Sequence, residues 1–157
     1  MQIRRGTVAQ AQELSDLAVA SKRHWGYDDE FIELCRTELT VTGDDIGSGL
    51  LSVAEDESDT VVGFFLLAEF PQPELRMLFV SPDAMGRGIG RALVYEAVRL
   101  ASSRGWRSLL IESDPFAEAF YVHMGAELVG SSASHSTGRT LRRYELTMGE
   151  PAENGAA

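Results

Sequence analysis

The stretch Glu74-Leu-Arg-Met-Leu-Phe-Val-Ser-Pro-Asp-Ala-Met-Gly-Arg-Gly-Ile-Gly-Arg-Ala-Leu93 decides how the rest of the chain is read. A strand-like run, Leu75 and Met77 to Val80, passes through Ser81-Pro82-Asp83 into glycines at 86, 88 and 90. An amphipathic helix starts at once, with Ile89, Leu93, Ala97, Leu100 and Ala101 on one face. Glycines at that place leave backbone N–H groups uncovered at a helix N-terminus, where the helix dipole and unpaired donors favour an anion such as a phosphate. The plainer alternative is a tight turn that needs glycine only for its backbone angles.

Two common phosphate loops do not fit. A Walker-type loop ends in Gly-Lys-Ser/Thr, whereas this one ends Gly90-Arg91-Ala92. A dinucleotide fingerprint starting at Gly88 needs a small residue at 93, where Leu93 stands, and belongs to a strand-helix-strand unit that the pattern here does not open.

Downstream, the helix closes at Gly105 and Ser108 to Glu112 reads as a strand. Asp114-Pro115 then opens another helix, with Asp as cap and Pro at the first helical position, and Met124-Gly125 ends it. Glu127 to Gly130 and Thr140 to Met148 alternate as a closing β-pair around a serine-rich loop, Ser131 to Gly138. Residues 149–157 read as a frayed tail, leaving a single domain over 1–148.

Upstream, Gln2 to Arg5 reads as a first strand, and Thr7-Val-Ala-Gln10 fits a capping box ahead of Val8, Ala11, Leu14, Leu17 and Ala18 at helical spacing. The pattern breaks over Ser21 to Tyr27. A second helix is predicted from Asp28 to Glu38, burying Phe31, Ile32, Leu34 and Cys35. Leu51 to Ala54 and Val61 to Ala68 are strands around the acidic turn 55–59.

Composition narrows the function classes. A chain of 157 residues with 44% hydrophobic content can bury one proper core. A formal net charge of −10 argues against a nucleic-acid partner and favours encounter with cationic small molecules or basic peptides. One cysteine, Cys35, excludes an internal disulfide and a multi-cysteine metal site. His24 and His123 lack ligand-spaced partners, so no metal is expected. No apolar run has the length of a membrane span and Met1-Gln-Ile-Arg-Arg-Gly6 has no signal-peptide character, so a cytoplasmic protein with no membrane partner is expected.

The glycine loop, read as Met85-Gly86-Arg87-Gly88-Ile89-Gly90 after Phe79-Val80-Ser81-Pro82, resembles the acyl-CoA loop of the GNAT acetyltransferase superfamily, Gln/Arg-x-x-Gly-x-Gly/Ala. It departs at Met85, where Gln or Arg is usual. A second resemblance follows the strand Leu109 to Glu112. Ala117, Phe120, Tyr121, Gly125 and Ala126 match the superfamily's helix pattern, with Asp114 in place of Asn. Two motifs in the right order and spacing are far more specific than one. The resemblance spans nearly the whole chain. It implies an α/β fold in which a mixed, mostly antiparallel sheet carries helices on both faces; the sheet order comes from the resemblance and not from periodicity.

The same resemblance implies acetyl-CoA as co-substrate, held by Leu78, Phe79, Val80, Met85, Gly86, Arg87, Gly88, Ile89, Gly90, Arg91, Asp114 and Phe116, with Asp114 against the pantetheine arm. Asp114 is equally a helix cap. Direct acetyl transfer to an amine needs three things. The amine must lose a proton, since an alkylammonium has a pKa near ~10. The developing oxyanion needs donors, and the departing thiolate benefits from a positioned acid. The resemblance places Tyr121 as that acid and backbone near Val80 at the carbonyl oxygen; the rival for Tyr121 is a core tyrosine. Glu74 and Glu112, at strand ends, are the candidate bases, against the reading that each is a solvated charge. Trp25 and Tyr27, in the polar-aromatic connector Ser21 to Tyr27, either bind a cationic or planar acceptor or cover the core.

The expected activity is N-acetylation of a small-molecule amine or amino-acid-like acceptor. The alternatives are a protein or peptide N-acetyltransferase and a non-catalytic acyl-CoA sensor module. A homodimer is an expectation from the superfamily alone.

Overall fold

The computed structural model describes residues 1–149; all but the first residue of the expected tail lies outside the described residues. The strands are β1 (Gln2–Arg5), β2 (Leu51–Glu55), β3 (Val61–Ala68), β4 (Glu74–Val80), β5 (Ser108–Ser113), β6 (Glu127–Ala133) and β7 (Thr140–Thr147). They form one seven-stranded sheet in the order β1-β2-β3-β4-β5-β7-β6. Every neighbouring pair is antiparallel except β4 with β5. The helices are α1 (Ala11–His24), α2 (Asp29–Leu34), α3 (Gly43–Gly47), α4 (Ile89–Ser103) and α5 (Glu118–His123).

β2 and β3 are buried along almost their whole length, as a strand covered on both faces must be, and each face has its own apolar cluster. On one side Phe65, Leu67, Leu109 and Ile111 meet Leu93, Ala97 and Ala101 of α4 and Tyr121 of α5. On the other, Phe64, Leu66 and Met77 meet Leu14 and Ala18 of α1, with Cys35, Leu39 and Ile46. Helices therefore cover both faces, as the resemblance implied.

Gly63 sets how closely α4 approaches the sheet. A Cβ there would lie 2.9 Å from the Phe79 carbonyl oxygen and 3.0 Å from Leu93 Cδ1. Gly63→Ala is expected to lower stability by about 1–3 kcal/mol through overpacking, read as a shift in the urea unfolding midpoint with the slope unchanged.

Three local expectations are corrected, and one short helix is added to them. α1 continues through Ser21, which is buried, to His24, so the connector is shorter than the pattern break implied. The predicted helix 28–38 stops at Leu34. At Arg36 the bonding tightens to the i−3 carbonyl, its N–H reaching Glu33 O at 3.2 Å. The chain then turns inward to bury Leu39 and Val41, while Leu34, expected in the core, is 53% exposed. The short α3 was not foreseen, although Thr42 and Asp45 cap each other reciprocally, N–H to side-chain oxygen, at 2.9 and 3.1 Å. Finally, β6 runs to Ala133 through Ser131 and Ser132, because cross-strand pairing with Arg142 and Leu141 overrides their low strand propensity.

The site is made by two irregularities in β4. Leu66 pairs with Met77 but Leu67 with Leu75, so Arg76 is an extra, bulged residue. The bulge reverses which face each later residue presents: Leu75 packs toward α4, and Met77, two residues on, packs toward α1. β4 and β5 register only at Glu74–Leu110, with Leu110 N–H bonded to Pro73 O at 3.0 Å. Beyond that point the described strands are not paired, and the sheet opens between them.

Candidate active site

The glycine loop meets the α4 N-terminus in the way a bound anion requires. Gly86 and Gly88 have φ of +79° and +80°, left-handed values that disfavour residues with a Cβ, and Gly88 is the N-cap of α4. The first helical bond is Ala92 N–H to Gly88 O at 3.1 Å. Among the described residues, the amides of Gly86 to Arg91 donate to no carbonyl and no side chain. Six unpaired donors at the positive end of a 15-residue helix fit a pyrophosphate. Arg91 is held over the Tyr95 ring, with its Nε donating to the Tyr95 hydroxyl at 3.0 Å. Gly90 faces Phe120 and Val80, where a Cβ would sit 3.4 Å from the Phe120 ring.

From this loop a cleft of about 1190 Å³ runs through the opening between β4 and β5. Leu78, Phe79 and Val80 form one wall; Phe116, Phe120 and Tyr121 form the other. Met85, Gly86, Gly88, Ile89, Gly90 and Arg91 lie at the loop end, and Glu74, Glu112 and Asp114 lie further along. The structure thus brings nearly all the predicted site residues to one cavity. Arg87 and Tyr27 are not on its wall.

Tyr121 is buried at 7% exposure, and among the described residues its hydroxyl has no hydrogen-bond partner. Burial first, and the Asp114 charge second, push its pKa well above the usual tyrosine value. It therefore keeps its proton near neutral pH and has a hydroxyl hydrogen to donate.

Glu74 is half-buried at the start of β4, two residues before the bulge. Burial raises its pKa above the ordinary carboxylate value of 4.5, against the pull of Arg76; the Glu112 charge adds to the rise and Arg143 opposes it. Glu112 is exposed and engaged, accepting from Ser132 Oγ at 3.2 Å and lying 3.9 Å from Arg143 Nε. The two candidate bases are distinguished by environment, since a buried carboxylate with a raised pKa is the better proton acceptor near neutral pH.

Asp114 caps the turn after β5, accepting from Phe116 N–H at 2.9 Å. It also accepts from Lys22 Nζ at 2.7 Å, from the Tyr27 hydroxyl at 2.9 Å and from Arg139 Nη2 at 3.0 Å. Burial alone would raise its pKa; Lys22, the Phe116 amide and Arg139 outweigh that and hold it below the usual range. Tyr27 is fastened into this network, and its ring stacks on Phe31 with centroids 4.2 Å apart. Trp25 does line the cleft, stacked on Phe116 at 5.3 Å with the rings 2° from parallel. Lys22 and Arg139 were missed by sequence reasoning. The only signals were a lone lysine in a helix's last turn and a lone arginine ending the serine-rich loop, and neither signal is specific.

Among the described residues no group of three or more His, Cys, Asp or Glu is arranged to hold a metal ion, and no helix is long and apolar enough to cross a membrane.

The profile of the Acetyltransferase (GNAT) family matches residues 11–126. Over 105 residues the chain is 34% identical to the peptidyl-lysine N-acetyltransferase YjaB of Salmonella typhimurium, covering 66% of this chain and 69% of that protein. Among solved structures, the apo form of YjaB from Escherichia coli matches with a TM-score of 0.68 at 25% identity, over 96% of this chain and 98% of that one. The PaiA N-acetyltransferase of Thermoplasma acidophilum, in complex with coenzyme A, matches with a TM-score of 0.77 over 94% and 98% of the two chains. At 19% identity that likeness is one of fold. With the profile reaching from α1 past α5, and so across the glycine loop and the opened strands, the chain belongs to the GNAT family and is an N-acetyltransferase.

Proposed function

We propose that the protein transfers an acetyl group from acetyl-CoA to the ε-amino group of a lysine in a peptide or protein. The observation that carries the proposal is the single cleft joining the glycine loop, with its unpaired amides at Gly86 and Gly88 to Arg91, to the half-buried Glu74. The names of the curated relatives favour a polypeptide lysine over the small-molecule amine expected from sequence.

An acetyl thioester supplies an activated carbonyl to an amine nucleophile. The amides of Gly86 to Arg91 bind the pyrophosphate, and the apolar walls at Leu78, Val80 and Phe120 guide the arm between β4 and β5. Backbone near Val80 faces the carbonyl oxygen. Desolvation of the incoming ammonium in the cleft lowers its pKa toward that of Glu74, which takes one proton and frees the lone pair for attack on the carbonyl carbon. As the C–N bond forms the C–S bond breaks, CoA leaves as its thiolate, and the second N–H proton passes to solvent. Tyr121 donates a hydrogen bond to the departing sulfur.

The raised Tyr121 pKa limits that last role, because full proton transfer to a thiolate of pKa near ~8.5 is uphill. What remains is one hydrogen bond to a charged group, worth roughly 1.5–3 kcal/mol. Tyr121→Phe is therefore expected to lower kcat by about tenfold with an unchanged acetyl-CoA dissociation constant, checked by steady-state kinetics and direct titration.

The test of the function is free-thiol release from acetyl-CoA with lysine-containing peptides, followed by mass spectrometry of the acceptor. Acetyl-lysine in the product supports the reading. Transfer to small amines but to no peptide returns the acceptor to a small molecule, and CoA binding without turnover on any acceptor identifies a sensor.

A further inference from the structure

The acceptor half of the cleft holds more hydrogen-bond donors than the protein supplies acceptors for. Lys22 stands in the last turn of α1 and Arg139 immediately before β7, with side chains only 13% and 25% exposed. Both line the cleft. Among the described residues Asp114 is the one carboxylate paired with them, and both cations converge on its Oδ2. Its Oδ1 is occupied by the Phe116 N–H, and the Tyr27 hydroxyl donates to the same carboxylate. The Tyr27 oxygen in turn accepts from Arg139 Nη1 at 2.7 Å.

With Asp114 and Tyr27 so engaged, donors are left over. Arg139 Nε–H is buried and has no partner among the described residues. Lys22 uses one of its N–H groups on Asp114, and the remainder of the ammonium has no acceptor among those residues. Within ion-pair distance, among the described residues, two cations share one carboxylate in a partly desolvated place, where an incompletely paired charge is costly. Glu38 lines the same cleft but forms no ion pair with either cation. The cations are also held in position. Arg139 lies 4.8 Å from the Phe31 ring centre and 5.2 Å from that of Tyr27, and Lys22 lies 5.2 Å from Tyr27. Such a fixed excess of donors is a ready site for an anion.

We infer that Lys22 and Arg139 form a carboxylate-recognition subsite, so that the acceptor carries a carboxylate close to the amine it presents to Glu74. This rests on the transferase reading and specifies its substrate class. An acidic residue flanking the acceptor lysine supplies that carboxylate in a peptide, and the α-carboxylate supplies it in a free amino acid. The direction is opposite to the one the overall charge of −10 dictates, since a uniformly acidic surface would prefer basic flanks.

The experiment compares two terminally blocked peptides that differ only in having Glu or Gln beside the lysine, alongside free lysine and lysinamide. Expected is a kcat/KM at least about tenfold higher for the Glu peptide, or for lysine over lysinamide; the first identifies a peptide source and the second a free amino acid. In Arg139→Gln the ratio between paired acceptors, measured within the same variant, falls toward one. Calorimetric binding of the same pairs reads the preference even where no acetyl is transferred, so loss of the transferase reading and loss of this one are separable. Equal binding and equal turnover for both pairs overturn the subsite. So does an Arg139→Gln variant that raises KM for acetyl-CoA while the acceptor ratio persists, since the cations would then serve the co-substrate.

Discussion

Glu74→Gln is expected to lower kcat/KM by about 10²-fold at neutral pH, the lower end of what a positioned base contributes, and to flatten the acidic limb of the pH profile. In the unmodified protein, burial lifts the Glu74 carboxyl above 4.5, so the fraction able to accept a proton declines as pH falls through that raised value. Glutamine does not titrate, and the residual rate keeps no such limb. The stability effect has the opposite sign. A carboxyl with a raised folded-state pKa binds its proton more tightly in the native state. Its contribution is therefore greatest below the unfolded value and diminishes as pH rises through the raised one. At pH 7 the folded protein holds a charge it would rather not bury, and a neutral amide relieves it. Glu74→Gln should thus melt at the same temperature or higher while losing activity, a combination that general unfolding cannot produce. Glu112→Gln, at an exposed residue tied to Ser132 and Arg143, is the control. If it abolished the acidic limb while Glu74→Gln retained it, the two roles would be exchanged.

Gly88→Val should weaken CoA binding by about 10²-fold. Valine at φ +80° is strongly disfavoured, so the loop must rotate at the N-cap of α4. Nothing lies within 4 Å of the added Cβ, so the effect is conformational and does not come from a clash with the core. Rotation there re-aims the amides of residues 86–91. Losing two charge-assisted hydrogen bonds, at about 1.5 kcal/mol each or more, corresponds to that fold-change. The effect should fall on the acetyl-CoA KM and the CoA dissociation constant, with kcat at saturation far less altered. A dissociation constant within about twofold of the unmodified protein would mean that the pyrophosphate is gripped elsewhere.

Much of this site is legible in the sequence because its chemistry is local. Glycines at 86 and 88 dictate backbone angles over a few residues, Asp114-Pro115 dictates a cap, and the spacing of Ile89, Leu93 and Ala97 dictates which face of α4 is buried. Each of these signals acts within one or two turns of the chain, where neighbours in sequence are neighbours in space. The helix expected over 28–38 failed for the complementary reason. Its local pattern was helical, but burying Leu39 and Val41 against the sheet required the chain to turn after Leu34.

Residue types and the strand-glycine-helix order were enough to place an anion loop, a helix tyrosine and two carboxylates in one chain. Tertiary structure alone decided that the Arg76 bulge turns Leu75 and Met77 to opposite faces, that Glu74 is half-buried while Glu112 is exposed, and that Lys22 and Arg139 meet at Asp114 across 92 and 25 residues. Propensity and capping energies reach only a few residues along the backbone. Burial, pKa and charge pairing depend on which strands the closed sheet sets side by side, and no local pattern encodes that.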